Sequence, residues 1–175
     1  MIKYAITNPT IYSYKYLKNL NKVVDFVLLR DKISNNYSLL AKNFINETKN
    51  YSYKKIIHQN YILAKELDAY GVHLTSKQFN KIKYAKELKL FTIISTHSLE
   101  EIKRAQEAGA DAVTFSPIFS TPNKGKPKGI QELKKAIECC NIKIIALGGI
   151  VTKEQIKLIK KTNVWGFASI RYFKP

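Results

Sequence analysis

The chain has 175 residues, of which 45% are hydrophobic and 11% aromatic, so it can bury a core, and its length suits a single domain over residues 1–175. Its formal charge of +17 favours anionic ligands, but the lysines are dispersed and no nucleic-acid motif occurs, so we expect no nucleic-acid partner. No apolar run approaches the roughly 18 residues that cross a bilayer, and we expect a cytoplasmic protein without membrane contact.

Short β-branched or aromatic runs alternate with polar stretches of helical period along the chain, which is the pattern of repeated βαβ units. Ser98 and Thr152 stand where helix N-caps are expected. The eight predicted strands lie near Tyr4–Thr7, Phe26–Arg30, Lys55–His58, Gly71–Thr75, Thr92–Thr96, Ala112–Ser116, Lys143–Leu147 and Gly166–Ile170. The seven predicted helices lie near Ser13–Leu20, Ser38–Lys49, Tyr61–Ala69, Ser76–Leu88, Leu99–Ala108, Gln131–Cys140 and Lys153–Lys161.

Eight strands with helical crossovers can form an open doubly wound sheet or a closed barrel. The glycine-rich first turn of a dinucleotide-binding unit is missing after the first strand, which favours a small (β/α)₈ TIM-type barrel of parallel strands. Only five residues follow Ile170, so the final C-terminal helix is expected to be absent. The N-terminal segment or a second subunit would then cover the last strand, and we expect a dimer or larger assembly.

Ligand-binding residues of such barrels lie at the carboxyl ends of the strands. After the second strand, Arg30-Asp31-Lys32 offers a planar fork of donors and a point charge to a phosphate, although a solvated basic loop has the same pattern. After the fifth strand, hydroxyl residues from Ser95 onward lead into a helix N-terminus that could take an anion. Ser98 with Glu101 also matches a capping box, which needs no ligand.

Two later strand ends hold further candidate phosphate contacts. The connection after the sixth strand, residues 116–129, is long and cationic, which indicates either a lid over a phosphate or a mobile loop. After the seventh strand, Gly148-Gly149 allows backbone amides to approach a ligand closely. A phosphate commonly rests on the loops after strands seven and eight of these barrels.

Taken together, these segments resemble the thiamine phosphate synthase/TenI family of small (β/α)₈ barrels over nearly the whole chain. Their order and spacing are more specific than any one of them. The resemblance rests on Tyr4-Ala5-Ile6-Thr7, Val24-Asp25-Phe26 through Arg30-Asp31-Lys32, Gly71-Val72-His73-Leu74, Ser95-Thr96-His97-Ser98-Leu99-Glu100-Glu101, Gly109-Ala110-Asp111-Ala112, Pro117-Ile118-Phe119-Ser120-Thr121 with Lys124, and Ala146-Leu147-Gly148-Gly149-Ile150.

The resemblance implies a role in vitamin B1 synthesis. In the synthase branch, a pyrimidine-methyl pyrophosphate loses pyrophosphate, and the nitrogen of a thiazole phosphate captures the resulting cation. Both phosphorylated small molecules are therefore the ligands that the resemblance implies. It assigns the pyrophosphate to Arg30, Lys32, Ser95 and Lys124, the pyrimidine pocket to His73, and the thiazole phosphate to Thr121 with the amides of Gly148 and Gly149.

Magnesium is the cofactor implied by the resemblance, but its carboxylate ligands are replaced. Where the family has an Asn-Asp pair after the third strand, this chain has His58-Gln59, and where it has an aspartate after the fourth, this chain has Gln78. Two neutral amides would hold Mg²⁺ poorly, so no metal ligand is assigned, and Asp31 is the nearest acidic substitute. Leu28 also replaces a glutamine that contacts the pyrimidine.

Other departures leave the function open. Arg171 stands where the family usually has a small hydroxyl residue, and it either clamps a phosphate or is a solvated residue. The TenI branch, a thiazole tautomerase, has a histidine where this chain has Pro117, so isomerase chemistry would need His58, His73 or His97 as its base. The alternatives are a synthase-type transferase, which we favour, a TenI-like isomerase, and a non-catalytic protein that binds a phosphorylated ligand.

Overall fold

A computed structural model describes residues 1–9 and 12–174 and shows eight parallel strands closed into a barrel. Each strand pairs with the next along the chain, and β8 closes the barrel on β1 with Gly166 opposite Ile2. The closed barrel predicted from the sequence is confirmed. The strands are β1 Ile2–Ile6, β2 Phe26–Leu29, β3 Lys54–His58, β4 Gly71–Leu74, β5 Phe91–Thr96, β6 Ala112–Phe115, β7 Lys143–Leu147 and β8 Gly166–Ser169.

Helices cross from strand to strand on the outside of the barrel. Ser98 accepts a hydrogen bond from the Glu101 amide and Thr152 from the Gln155 amide, both at 3.2 Å, which confirms the two predicted N-caps. The α-helices of the described residues are α1 Tyr14–Leu20, α2 Tyr37–Thr48, α3 Tyr61–Glu66, α4 Ile82–Glu87, α5 Leu99–Glu107, α6 Gly129–Cys139 and α7 Lys153–Lys160, and a 3₁₀ turn over Phe79–Lys81 precedes α4.

Alternation along the strands creates two cores. The inner core fills the barrel, with Tyr4, Ile56, Ile93 and Ile145 among its buried members. The outer core packs the strands against the helices. At the amino-terminal end of the barrel, Phe26, Phe91 and Trp165 lie with their ring centroids 5.7 to 6.2 Å apart. The amino-terminal end is therefore filled by aromatic rings. The carboxyl ends of the strands are the side of the barrel where a ligand is expected.

The chain after β8 forms a turn, and no helix follows within residues 170–174, as predicted. Tyr172 and Phe173 fold back onto Phe167, with ring centroids 5.8 and 5.6 Å away. The Ser169 hydroxyl holds this turn by donating to the Ile150 oxygen at 2.8 Å and accepting from the Tyr172 amide at 3.0 Å. The chain's own C-terminal turn thus covers part of the surface that we expected another segment or subunit to cover. The oligomeric state stays a prediction.

The predicted fourth helix begins later than expected because its first residues form a turn. The side-chain oxygen of Gln78 accepts hydrogen bonds from the amide and hydroxyl of Thr75 at 3.1 and 3.2 Å. These bonds fold the chain back on itself before α4 begins. Elsewhere, the described residues contain no helix long and apolar enough to cross a membrane.

Candidate active site

A chain of buried polar groups lies inside the barrel near the carboxyl ends of its strands. On β4, His73 places Nδ1 3.0 Å from the Tyr4 hydroxyl and Nε2 3.1 Å from the Ser95 hydroxyl. The Thr114 hydroxyl lies 3.4 Å from the same Nε2. Burial, together with the nearby His58 and Arg30, lowers the pKa of His73 to about 3. The ring is therefore neutral, with one nitrogen donating and the other accepting.

The structure brings together two residues that the sequence assigned to different parts of the ligand. His73 was expected to line the pyrimidine pocket and Ser95 to hold pyrophosphate. Ser95 is half-buried, whereas His73 is only 4% exposed, so Ser95 is the member of the pair that can reach a ligand. His73 orients the Ser95 hydroxyl from inside the barrel.

His58 lies at the end of β3, opposite His73 in the strand register. Its backbone amide donates to the Tyr37 hydroxyl at 2.9 Å, and that hydroxyl donates to the Leu29 oxygen at 2.8 Å. Tyr37 thereby ties the ends of β2 and β3 together. Burial, together with Arg30 and Lys32, lowers the pKa of His58 to about 4. At neutral pH His58 is an uncharged ring beside these two cations.

Cations from the loops after β2 and β6 gather above the histidines. Arg30 is half-buried, and its backbone amide donates to the Thr7 hydroxyl at 3.1 Å, which fixes the end of β2 to β1. Arg30 lowers the pKa of Lys32, as do partial burial and Lys124. Arg30, Lys32 and Lys124, which we term the cation cluster, are therefore electrostatic neighbours. Like charges held together in this way attract an anion.

Asp31 lies within the same loop, but its carboxylate is turned back onto the chain. It accepts hydrogen bonds from the Ile33 amide at 2.7 Å, from the Ser34 amide at 3.0 Å and from the Ser34 hydroxyl. Slight burial opposes ionisation, but these bonds hold the pKa of Asp31 below its ordinary value. Asp31 is a staple of its own loop, which makes it a poor substitute for the missing metal ligands.

The connection after β6 begins and ends at the same point of the barrel. The amides of Lys128 and Gly129 donate back to the oxygens of Pro117 and Ile118 at 2.8 and 3.0 Å. A loop with its ends tied in this way is an Ω-loop, a type that often has a function. The Thr121 hydroxyl donates to the Phe119 oxygen at 3.0 Å, so it must rotate before it can donate to a phosphate. Whether the loop closes as a lid stays a prediction.

The two glycines after β7 lie directly against this Ω-loop. Gly148 and Gly149 have φ angles of 97° and 70°, in the region that favours glycine. A Cβ atom on Gly149 would lie 2.5 Å from the Ser120 oxygen. Two of the predicted thiazole-phosphate residues thus lie against the segment that leads to the third, Thr121. Arg171 is exposed in the turn after β8.

The N-terminus of α5 is occupied by the chain itself. The predicted capping box is only half formed, because the Glu101 carboxylate does not return to Ser98. Instead it accepts from the His97 amide at 2.6 Å and lies 3.3 Å from His97 Nδ1. A side-chain carboxylate thus takes a donor that an external anion would have used, which favours the ligand-free interpretation of this segment.

The residues at the expected magnesium position do not fit that ion. Both oxygen-bearing side chains there, those of Gln59 and Gln78, are neutral amides, whereas Mg²⁺ usually binds through one or two carboxylates. The Gln78 oxygen already accepts two hydrogen bonds from Thr75. Across residues 1–9 and 12–174, no group of three or more His, Cys, Asp or Glu side chains is placed to hold a metal.

Sequence reasoning gave no site role to Tyr4, Thr114 or Tyr37. Tyr4 and Thr114 carry polar groups at inward-facing positions of strands whose other inward-facing residues are apolar, and that pattern could have singled them out. Tyr37 begins α2 and acts across two strand ends, which no local pattern indicates.

A closed (β/α)₈ barrel with cations gathered at its strand ends defines a class of barrels suited to phosphorylated small molecules. A family model described as thiamine monophosphate synthase matches residues 4–173. The chain belongs to the thiamine monophosphate synthase family, which supports a role in thiamine biosynthesis.

Individual relatives agree. The chain is 37% identical to "Putative thiamine-phosphate synthase 2" of Aquifex aeolicus, covering 97% of this chain and 96% of that protein. It is 31% identical to the thiamine-phosphate synthase of Clostridium tetani, covering 95% and 85%. The solved thiamine phosphate pyrophosphorylase from Pyrococcus furiosus superposes with a TM-score of 0.83 at 26% identity, covering 97% of this chain and 85% of that one.

Proposed function

We propose that the protein joins a hydroxymethylpyrimidine pyrophosphate to a thiazole phosphate and releases pyrophosphate. The observation that supports this most directly is the cation cluster of Arg30, Lys32 and Lys124 above the His73–Ser95 pair. Family membership makes these two substrates the natural candidates. The leaving group of this reaction is a highly charged anion, so a cluster of fixed cations suits it.

The chemistry needs little beyond electrostatics and positioning. As the carbon–oxygen bond to pyrophosphate breaks, pyrophosphate keeps the bonding electron pair and a pyrimidine-methyl cation remains. The lone pair of the thiazole nitrogen then forms the new carbon–nitrogen bond, and no proton has to move. The planar guanidinium of Arg30 can bind two pyrophosphate oxygens at once, while Lys32 and Lys124 act as point charges.

The remaining residues would place the two substrates. Ser95 would donate its hydroxyl to pyrophosphate, and His73 acts through it as a positioning residue. Gly149 lies against the backbone of Phe119 and Ser120, the residues just before Thr121, and there the amides of Gly148 and Gly149 would hold the thiazole phosphate. Arg171 lies just after β8 and is exposed. It would therefore contact that phosphate only from the outer edge of the site.

The test is to incubate the purified protein with both substrates, in EDTA and in excess Mg²⁺, and to measure thiamine phosphate by chromatography. We expect product, and we expect Arg30→Ala to abolish it. Lys18→Ala is the matched control, because Lys18 is exposed in the last turn of α1 at the opposite end of the barrel. Absence of product in both conditions would rule out the transferase.

The same samples separate the alternatives. Isomerisation of a thiazole carboxylate phosphate without any coupling would indicate a TenI-like enzyme. Calorimetric binding of either substrate without turnover would indicate a binding protein.

A further inference from the structure

The loops after β3 and β4 are joined by the two glutamines that stand at the family's magnesium positions. The side-chain amide of Gln78 donates to the backbone oxygen of Gln59 at 3.3 Å. The other end of the same amide group accepts from the amide and hydroxyl of Thr75 at 3.1 and 3.2 Å. Gln78 therefore connects the two loops directly.

These bonds use two of the oxygens that a cation could bind. The Gln78 side-chain oxygen is taken by Thr75, and the Gln59 backbone oxygen is taken by Gln78. The Gln59 side-chain nitrogen lies 3.5 Å from His58 Nε2. Gln59 also has a φ of 64°, which is uncommon for a residue with a side chain. The Gln59 amide donates to the His73 oxygen at 2.9 Å, and the bond from Gln78 is a second tertiary contact that holds this conformation.

The charges around the two glutamines also disfavour a divalent cation. Arg30 and Lys32 lie close enough to His58, the residue before Gln59, to act on it electrostatically. The one carboxylate of the loop after β2, Asp31, is held by Ile33 and Ser34. A divalent cation at this position would be repelled by the positive charges of Arg30 and Lys32.

We propose that the hydrogen bond between Gln78 and Gln59 replaces a divalent cation in joining these loops, and that the cation cluster binds pyrophosphate without metal. This inference takes from the proposed function only that the ligand has a pyrophosphate group. It concerns how the protein binds that group, not whether coupling follows.

The first test uses inorganic pyrophosphate and the wild-type protein in isothermal titration calorimetry, in EDTA and in excess Mg²⁺. We expect binding in EDTA, and equal or weaker apparent affinity in Mg²⁺, because the ion competes for free pyrophosphate in solution. A rise of about tenfold or more in affinity with Mg²⁺, equivalent to about 1.4 kcal/mol, would overturn the proposal. So would the absence of binding in EDTA.

The second test uses Mn²⁺ alone, followed by the loss of its free-ion signal in electron paramagnetic resonance. The wild-type protein should leave Mn²⁺ free, and binding that disappears in Gln78→Leu would contradict the proposal. The double variant Gln59→Asp/Gln78→Asp supplies two carboxylates and should acquire Mn²⁺ binding. Gln131→Asp, an exposed site on α6, is the matched control and should behave as wild type. If circular dichroism shows that the double variant does not fold, the wild-type measurements with pyrophosphate and Mn²⁺ still test the proposal.

Turnover separates this inference from the proposed function. Product that forms only with Mg²⁺ would overturn the metal-free site and leave the transferase intact. Pyrophosphate binding in EDTA that Mg²⁺ does not strengthen, with no product in either condition, would overturn the transferase and leave the metal-free site intact.

Discussion

The Ser95 hydroxyl lies 3.1 Å from Nε2 of His73. The other nitrogen of the same ring lies 3.0 Å from the fully buried Tyr4 hydroxyl. A half-buried hydroxyl is thus connected through one neutral ring to a phenol inside the barrel. Changes at the two ends of this chain should have different consequences, because only one end can reach a ligand.

We expect Ser95→Ala to weaken binding of inorganic pyrophosphate several-fold, because one donor is lost, and to cost less than about 1 kcal/mol of stability. Tyr4→Phe should leave that binding nearly unchanged but destabilise the fold by about 1–2 kcal/mol, because a buried His73 nitrogen loses its partner. Calorimetry and urea unfolding measure the two effects. Equal loss of affinity in both variants would show that the chain does not divide in this way.

We expect Lys32→Ala and Lys124→Ala each to weaken pyrophosphate binding about tenfold, because each removes a charge-assisted contact to the anion. Lys18→Ala at the far end of the barrel is the control and should change affinity by less than about twofold. An unchanged affinity in Lys124→Ala would mean that the Ω-loop is not a lid over the phosphate.

Stability should fall with decreasing pH through a window to which both His58 and His73 contribute; the part due to His58 can be separated. Burial, with Arg30 and Lys32 nearby, lowers the pKa of His58 from 6.5 to about 4. Between these two pH values His58 is protonated in the unfolded chain but neutral in the folded chain. The free energy of unfolding should therefore fall as pH falls from 6.5 towards 4, by on the order of 3 kcal/mol from this residue. Urea unfolding at several pH values checks this.

His58→Asn provides the comparison for that series. His73 and the carboxylates titrate in both proteins, so the difference between the two pH profiles isolates the contribution of His58. The variant should lose less stability between pH 6.5 and pH 4 than wild type. Parallel profiles would show that His58 is not held neutral in the folded protein.

We expect Gly149→Ala to destabilise the protein by about 2–4 kcal/mol, because a Cβ there meets backbone oxygens and the φ angle disfavours alanine. The new atom would lie 2.5 Å from the Ser120 oxygen and 2.6 Å from the Phe119 oxygen. Gly125→Ala, in the same Ω-loop, is a matched control because no described atom lies within 4 Å of its Cβ position. Chemical denaturation of both variants measures the difference, and similar midpoints would contradict the close approach of the two loops.

Much of the fold could be predicted because its signals are local. Alternating strand and helix patterns gave the order of elements, and the missing glycine-rich turn favoured closure. The N-caps at Ser98 and Thr152 follow from neighbouring residues and are confirmed. The predicted bond from the Ser98 amide to the Glu101 carboxylate was wrong, since Glu101 accepts from the His97 amide instead. That choice depends on the side-chain rotamer, which the spacing of residues does not fix.

The candidate site also has features that the sequence predicts and features that only the tertiary structure shows. Its cations, its glycines and the replacement of carboxylates by Gln59 and Gln78 are properties of the sequence, because they depend only on which residue stands after which strand. Only the tertiary structure decided that Gln78 bonds to Gln59 and that His73 joins Tyr4 to Ser95. Tyr4 and His73 are 69 residues apart in the chain, and a hydrogen bond forms only when barrel closure brings its two atoms within about 3 Å.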